Sequence, residues 1–145
     1  MANIMSNQFI PYGRQHITQT DIDAVVAVLQ SDFLTQGSQV PAFEERVAAY
    51  TGAKFGVAVN SATSALHIAC LALGLGQGEK GKDDWLWTTP ITFTASANCG
   101  LYCGANIDFV DIDPLTLNMS INALEEKLQL AHAENRLPKI VIPVH

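Results

Sequence analysis

Residues 54–74 read K-F-G-V-A-V-N-S-A-T-S-A-L-H-I-A-C-L-A-L-G, and this word most restricts the architecture. An apolar, β-branched run with Val57 and Val59 stops at Asn60. An Ala- and Leu-rich run with the composition of a buried helix begins at once. The rhythm then repeats. Strands are expected at 54–59, 85–89, 107–111 and 139–144, and helices at 62–73, 94–103 and 121–135. Parallel neighbours need a crossover, and a crossover helix covers one face of the sheet. The alternation therefore predicts an α/β fold: a mostly parallel sheet with helices on both faces.

The chain before residue 54 has another character. Residues 1–8 are expected as a loose tail. Thr18 and Thr20 can each cap a helix over 21–30, where Asp21 and Asp23 suit the positive end of the dipole. Residues 31–37 (S-D-F-L-T-Q-G) read as a connecting loop. A second helix follows over 41–50, with Ser38 as a nearby cap. Val40, Phe43, Val47 and Tyr50 share one of its faces, and Gly52 stops it. Two parts result: an N-terminal helical segment, 1–53, and the first part of an α/β domain, 54–145. Residues 76–84 read as a polar, Gly-rich surface loop. The run K-I-V-I-P-V at 139–144 predicts a strand buried on both faces. A domain rarely stops on its most buried element, so the chain is expected to be the front of a longer protein.

Composition removes several function classes. Of 145 residues, 48% are hydrophobic and 15% charged, which supplies a core and argues against disorder. A net charge of −6 and eight scattered Lys and Arg exclude a broad nucleic-acid or anionic-membrane surface. A single anionic small molecule remains compatible, because a helix N-terminus can hold one without basic side chains. Residues 57–76 lack any Asp, Glu, Lys or Arg over roughly the length a bilayer requires. Asn60, Ser61, Thr63, Ser64 and His67 crowd the first half of that stretch, so it divides into strand and helix and does not span a membrane. Cys70, Cys99 and Cys103 are an odd count without metal-ligand spacing. They predict reduced structural thiols in a cytoplasmic protein, as does an N-terminus without signal-peptide order.

Two places suggest chemistry. At the junction 61–64 (S-A-T-S), the first N–H groups of the helix have no partners from within it. They converge where the dipole adds positive charge. Small side chains would let an anion close, yet Ser and Thr there also serve as ordinary caps. Phe93 follows T-T-P-I-T just after the C-terminal end of an expected parallel strand, the edge where open α/β sheets take ligands. It could stack on a planar group or pack into the core. Neither a dinucleotide fingerprint nor a P-loop is present. His67 reads as a core histidine. Asp108, Asp111 and Asp113 read as strand-end and turn residues, and no metal site is expected. The residues alone leave an α/β domain that can bind a phosphate group.

The sequence words then match a known family. I-P-Y-G-R-Q at 10–15, S-D-F-L-T-Q-G at 31–37, N-S-A-T-S-A-L at 60–66, T-T-P-I-T-F-T-A-S-A-N at 88–98, G-A-N-I-D-F-V-D-I-D at 104–113 and K-I-V-I-P-V-H at 139–145 occur in order. Together they resemble the DegT-type sugar aminotransferases, fold-type I enzymes dependent on pyridoxal 5'-phosphate (PLP). The resemblance implies that the chain is the N-terminal part of the large domain of such an enzyme. It implies a PLP phosphate against the backbone of Ala62 and Thr63 and the Thr63 hydroxyl, with Phe93 on the pyridine ring. Tyr12 and the loop Asp32, Phe33, Leu34 and Thr35 would line the sugar-nucleotide site.

The implied reaction moves an amino group from glutamate to a 4-keto UDP-sugar, in the synthesis of a pseudaminic acid precursor, by a homodimer. None of Lys54, Lys80, Lys82, Lys127 or Lys139 matches the family's Schiff-base lysine, so no catalytic residue is assigned and this chain by itself is expected to be inactive. Two other readings stand beside it. One is a PLP-dependent sugar dehydratase relative. The other is a non-catalytic interaction fragment from a split gene.

Overall fold

The computed structural model describes residues 11–77, 81 and 83–144. The expected tail at 1–8 and part of the 76–84 loop lie outside them. The chain divides into two compact units, Met1–Gly56 and Val57–His145.

The first unit carries two helices. Helix α1, Gln19–Leu29, starts at a reciprocal cap: Asp21 N–H donates to Thr18 Oγ1, and the Thr18 N–H and hydroxyl both donate to Asp21 Oδ2 at 2.7 Å. These bonds, the backbone one first, hold the Asp21 carboxyl below its ordinary value. Helix α2, Gln39–Thr51, follows Ser38, which makes no side-chain cap bond, and Gly52 ends it with φ 73°. The stripe of Val40, Phe43, Val47 and Tyr50 is exposed, whereas Ala48 is buried. Two helices alone do not provide enough chain to cover such a face.

The second unit is the α/β part. Its elements are α3 (Ala62–Ala72), β1 (Trp85–Thr88), α4 (Ala95–Tyr102), β2 (Asn106–Phe109), α5 (Ile121–Ala133) and β3 (Ile140–Ile142). The strands lie in the order β2-β1-β3, all parallel, with Leu86 opposite Ile107 and Ile140. Alternation along β1 sends its side chains to two faces. Leu86 faces a core of Cys70, Leu75, Cys99 and Ala105, on which α3 and α4 pack. Trp87 faces the other way, onto Val110 and Ala131 with Leu124 and Leu128 of α5. Helices therefore cover both faces, as the alternation required.

Two expectations are corrected. Residues 54–59 form no strand, and Phe55 and Val57 are 76% and 77% exposed. Residue preference makes such a segment extended, but a strand exists only when a neighbour completes its ladder. In the described residues β1, β2 and β3 pair with one another and not with it. The second concerns residues 140–142, which are half-buried rather than buried on both faces. They form the edge of this sheet, with β1 on one side. Among the described residues, no helix is long and apolar enough to cross a membrane, and the run that could have been mistaken for a span holds the 11-residue α3.

Candidate functional site

The junction before α3 is built as its residue types dictate. Ser61 is the N-cap, in extended backbone (φ −162°, ψ 157°), and its Oγ accepts from Ser64 N–H at 3.1 Å. The Ala65 N–H donates to Ser61 O at 3.0 Å. The N–H groups of Ala62 and Thr63 are left without a hydrogen-bond partner among the described residues, as is the Thr63 hydroxyl. Two adjacent backbone donors at the positive end of a helix, flanked by small side chains, form a donor-only surface suited to a phosphate dianion. Capping and anion binding, left open by the residues alone, turn out to be compatible. Ser61 does the capping, and Ala62 and Thr63 remain available.

A residue that the sequence reading passed over sits beside them. Asn60 Oδ1 accepts from the Ser64 hydroxyl at 2.7 Å, and the Ser61 hydroxyl donates to Ser64 Oγ at 3.0 Å. The available signal was the spacing: an amide four residues before a hydroxyl, across a helix start.

Phe93 lies between β1 and α4, past the C-terminal end of β1, and is 59% exposed. The core role is therefore not what this side chain takes in the described structure. Its backbone is held, since Ser96 N–H donates to Phe93 O at 2.8 Å and the Thr92 hydroxyl donates to Ser96 Oγ at 3.2 Å. An aromatic ring with one open face on a fixed loop can stack on a planar group. Among the described residues no hydrogen bond or ring contact joins Phe93 to 61–64. The contacts between α3 and α4 are made further along, where His67 meets Tyr102 edge-on at 5.4 Å and Cys70 Sγ lies 3.6 Å from Cys99 Sγ. All three cysteines are free thiols. Burial first, then the neighbouring Cys99 thiol, pushes Cys70 up to about 12, so it is no nucleophile.

Tyr12, Asp32, Phe33, Leu34 and Thr35 belong to the first unit. Phe33 and Leu34 help to wall a cavity of about 460 Å³ with Ala24 and Val28 of α1 and Val40 of α2. Asp32, Thr35 and Tyr12 are exposed and outside that wall. The loop is tight: Gln36 has φ 55°, and a Cβ on Gly37 would come within 3.0 Å of Phe33 O. The three aspartates have the structural roles expected of them. Asp113 Oδ1 accepts from Leu115 and Thr116 N–H, and Asp111 Oδ1 from Ile112 N–H. Asp108 pairs with Lys127 at 2.8 Å.

Known proteins are similar to this chain in sequence and fold. The pattern of the DegT/DnrJ/EryC1/StrS aminotransferase family matches residues 15–145. A UDP-4-amino-4,6-dideoxy-N-acetyl-beta-L-altrosamine transaminase of Campylobacter jejuni is 46% identical over 103 residues, 71% of this chain and 26% of that protein. Among solved structures, Helicobacter pylori PseC, an aminotransferase of pseudoaminic acid biosynthesis, aligns with a TM-score of 0.76 at 31% identity, over 92% of this chain and 33% of its own. Spr1654 of Streptococcus pneumoniae in its PLP form aligns with a TM-score of 0.72 at 33% identity, over 81% of this chain and 29% of its own. The chain spans about a quarter to a third of the length of the curated relatives it matches. With a parallel sheet covered on both faces, a donor-only helix start after residue 60 and a pattern match over nearly its whole length, the chain belongs to the DegT/DnrJ/EryC1/StrS aminotransferase family.

Proposed function

We propose that this chain supplies the phosphate-binding part of the PLP site in an aminotransferase acting on a nucleotide sugar. In this reading it takes an amino group from glutamate and delivers it to a 4-keto UDP-sugar of the pseudaminic acid type. The carrying observation is the pair of unpartnered N–H groups on Ala62 and Thr63 at the start of α3, inside the segment that matches the family. When bound, PLP supplies the interchange between carbonyl and amine that amino transfer needs. The residues of this chain supply binding and orientation. The Ala62 and Thr63 N–H groups and the Thr63 hydroxyl receive the phosphate. The exposed ring of Phe93 limits the tilt of the pyridine plane. Phe33 and Leu34 offer apolar surface to the sugar nucleotide, with Asp32, Thr35 and Tyr12 as the polar groups of that site. Reduced cysteines and a cytoplasmic homodimer complete the reading.

The test measures amino transfer and PLP binding by the intact protein. The whole enzyme to which this chain would contribute, given glutamate and a UDP-4-keto sugar, should yield an amino sugar and 2-oxoglutarate, whereas residues 1–145 by themselves should not. Thr63→Ala should weaken PLP binding roughly tenfold or more, the scale of a hydrogen bond to a charged group. Release of the sugar hydroxyl without gain of an amine would replace transamination with dehydration. An unchanged PLP affinity in Thr63→Ala would remove the phosphate from this helix start.

A further inference from the structure

We infer that Asn60 and Ser64 are positioning residues for the cofactor phosphate; the inference rests on the PLP reading of the Ala62–Thr63 donors given above. The hydrogen bonds around the junction form a closed set in which each hydroxyl donates once and accepts once. Ser61 O–H donates to Ser64 Oγ at 3.0 Å, Ser64 O–H donates to Asn60 Oδ1 at 2.7 Å, and Ser64 N–H donates to Ser61 Oγ at 3.1 Å.

Two consequences follow. First, both serine protons are committed within the junction. Within residues 62–64, the donors left for a ligand are those of Ala62 and Thr63. Second, the Asn60–Ser64 bond spans four residues and brackets the two peptide units that carry the free N–H groups. With both ends of that segment tied, the donors are aimed before the phosphate arrives, and less ordering remains to be done on binding. Ser64 has no uncommitted hydroxyl proton to offer the phosphate, and Asn60 enters this set through its Oδ1. Their effect passes through the backbone of Ala62 and Thr63. The two partners should act as a unit, because each loses its role when the other is removed.

The experiment is a PLP dissociation constant, from cofactor fluorescence, for the intact protein and its variants, with the thermal midpoint of the apo form measured alongside. Ser64→Ala and Asn60→Ala should each raise the constant roughly three- to tenfold, the size expected for one neutral hydrogen bond. The double variant should be no worse than the weaker single, within about twofold. Ser64→Thr keeps the hydroxyl and should restore binding. The apo midpoint should not follow these changes, as it would if the bonds merely stabilised the helix.

PLP affinities within twofold of the parent for both alanine variants, with Thr63→Ala still weakened, would overturn the positioning role and leave the cradle standing. A parent protein that binds no PLP, or a Thr63→Ala variant that binds as well as the parent, would overturn the cradle and this inference together.

Discussion

At the scale of single residues, local chemistry and exposure separate function from packing. Ser61, Ala62 and Thr63 were legible because a cap and its orphan donors are consequences of nearest neighbours. Only three residues and the helix direction are involved. Phe93 was not settled that way, since one sequence position serves stacking or core packing equally well. Its 59% exposure decides for an open ring. Phe93→Ala should therefore leave the thermal midpoint of the apo protein nearly unchanged, within about 0.5 kcal/mol of stability. The same variant should weaken PLP binding by the worth of a stacking contact, roughly two- to tenfold. Loss of the folded state in that variant would return Phe93 to the core.

At the scale of elements, the helices fell near their expected places because helix-forming runs are local, and α1, α3 and α5 begin at the capping side chains of Thr18, Ser61 and Ser120. Residues 54–59 show the opposite case. Phe55, Val57 and Val59 favour extended backbone, but pairing depends on what lies beside them, which no local pattern contains. The turns at the ends of α2 and α3 allow a quantitative comparison. Gly52 and Gly76 both have positive φ, 73° and 70°. A Cβ on Gly52 meets nothing within 4 Å, whereas one on Gly76 would fall 1.7 Å from Cys103 O. Gly52→Ala should thus cost only the left-handed strain, about 1 kcal/mol. Gly76→Ala should cost clearly more, because rigid backbone at the end of α4 must move. Chemical denaturation of the two variants checks the order, and equal losses would show that the exit of α3 is not tightly seated.

At the scale of the α/β unit, one polar knot joins distant segments. Lys139 Nζ donates to Gly74 O at 2.7 Å and to Asp84 Oδ2 at 3.0 Å, and Gly76 N–H donates to the same carboxylate oxygen at 2.9 Å. The exit of α3 and the entries to β1 and β3 are held at one point. Burial pushes the Asp84 carboxyl up, but the Gly76 N–H and the Lys139 ammonium outweigh it and hold the group below its ordinary value. A carboxyl lowered in the folded state adds stability that is complete above the unfolded pKa of about 3.9. That stability is lost as pH falls through the lower folded value. Asp84→Asn should therefore flatten the decline of the thermal midpoint below about pH 4 while lowering stability at neutral pH. An acid limb as steep as the parent's would assign the acid sensitivity elsewhere, Asp108 with Lys127 being the next such pair.

The amino-acid order by itself determined the α/β class, the layers and the capped start of α3 with its unpartnered N–H groups. These follow from periodicity, residue preference and a capping word ahead of a helix-forming run, all written within a few neighbouring positions. Tertiary structure decided that β3 is an edge strand, that residues 54–59 stand outside the sheet, that Phe33 and Leu34 share a cavity while Asp32 and Thr35 do not, and that Lys139 meets Asp84. The pairing of segments and the covering of side chains are properties of residues tens of positions apart, and the free energy that selects them appears only once those residues touch.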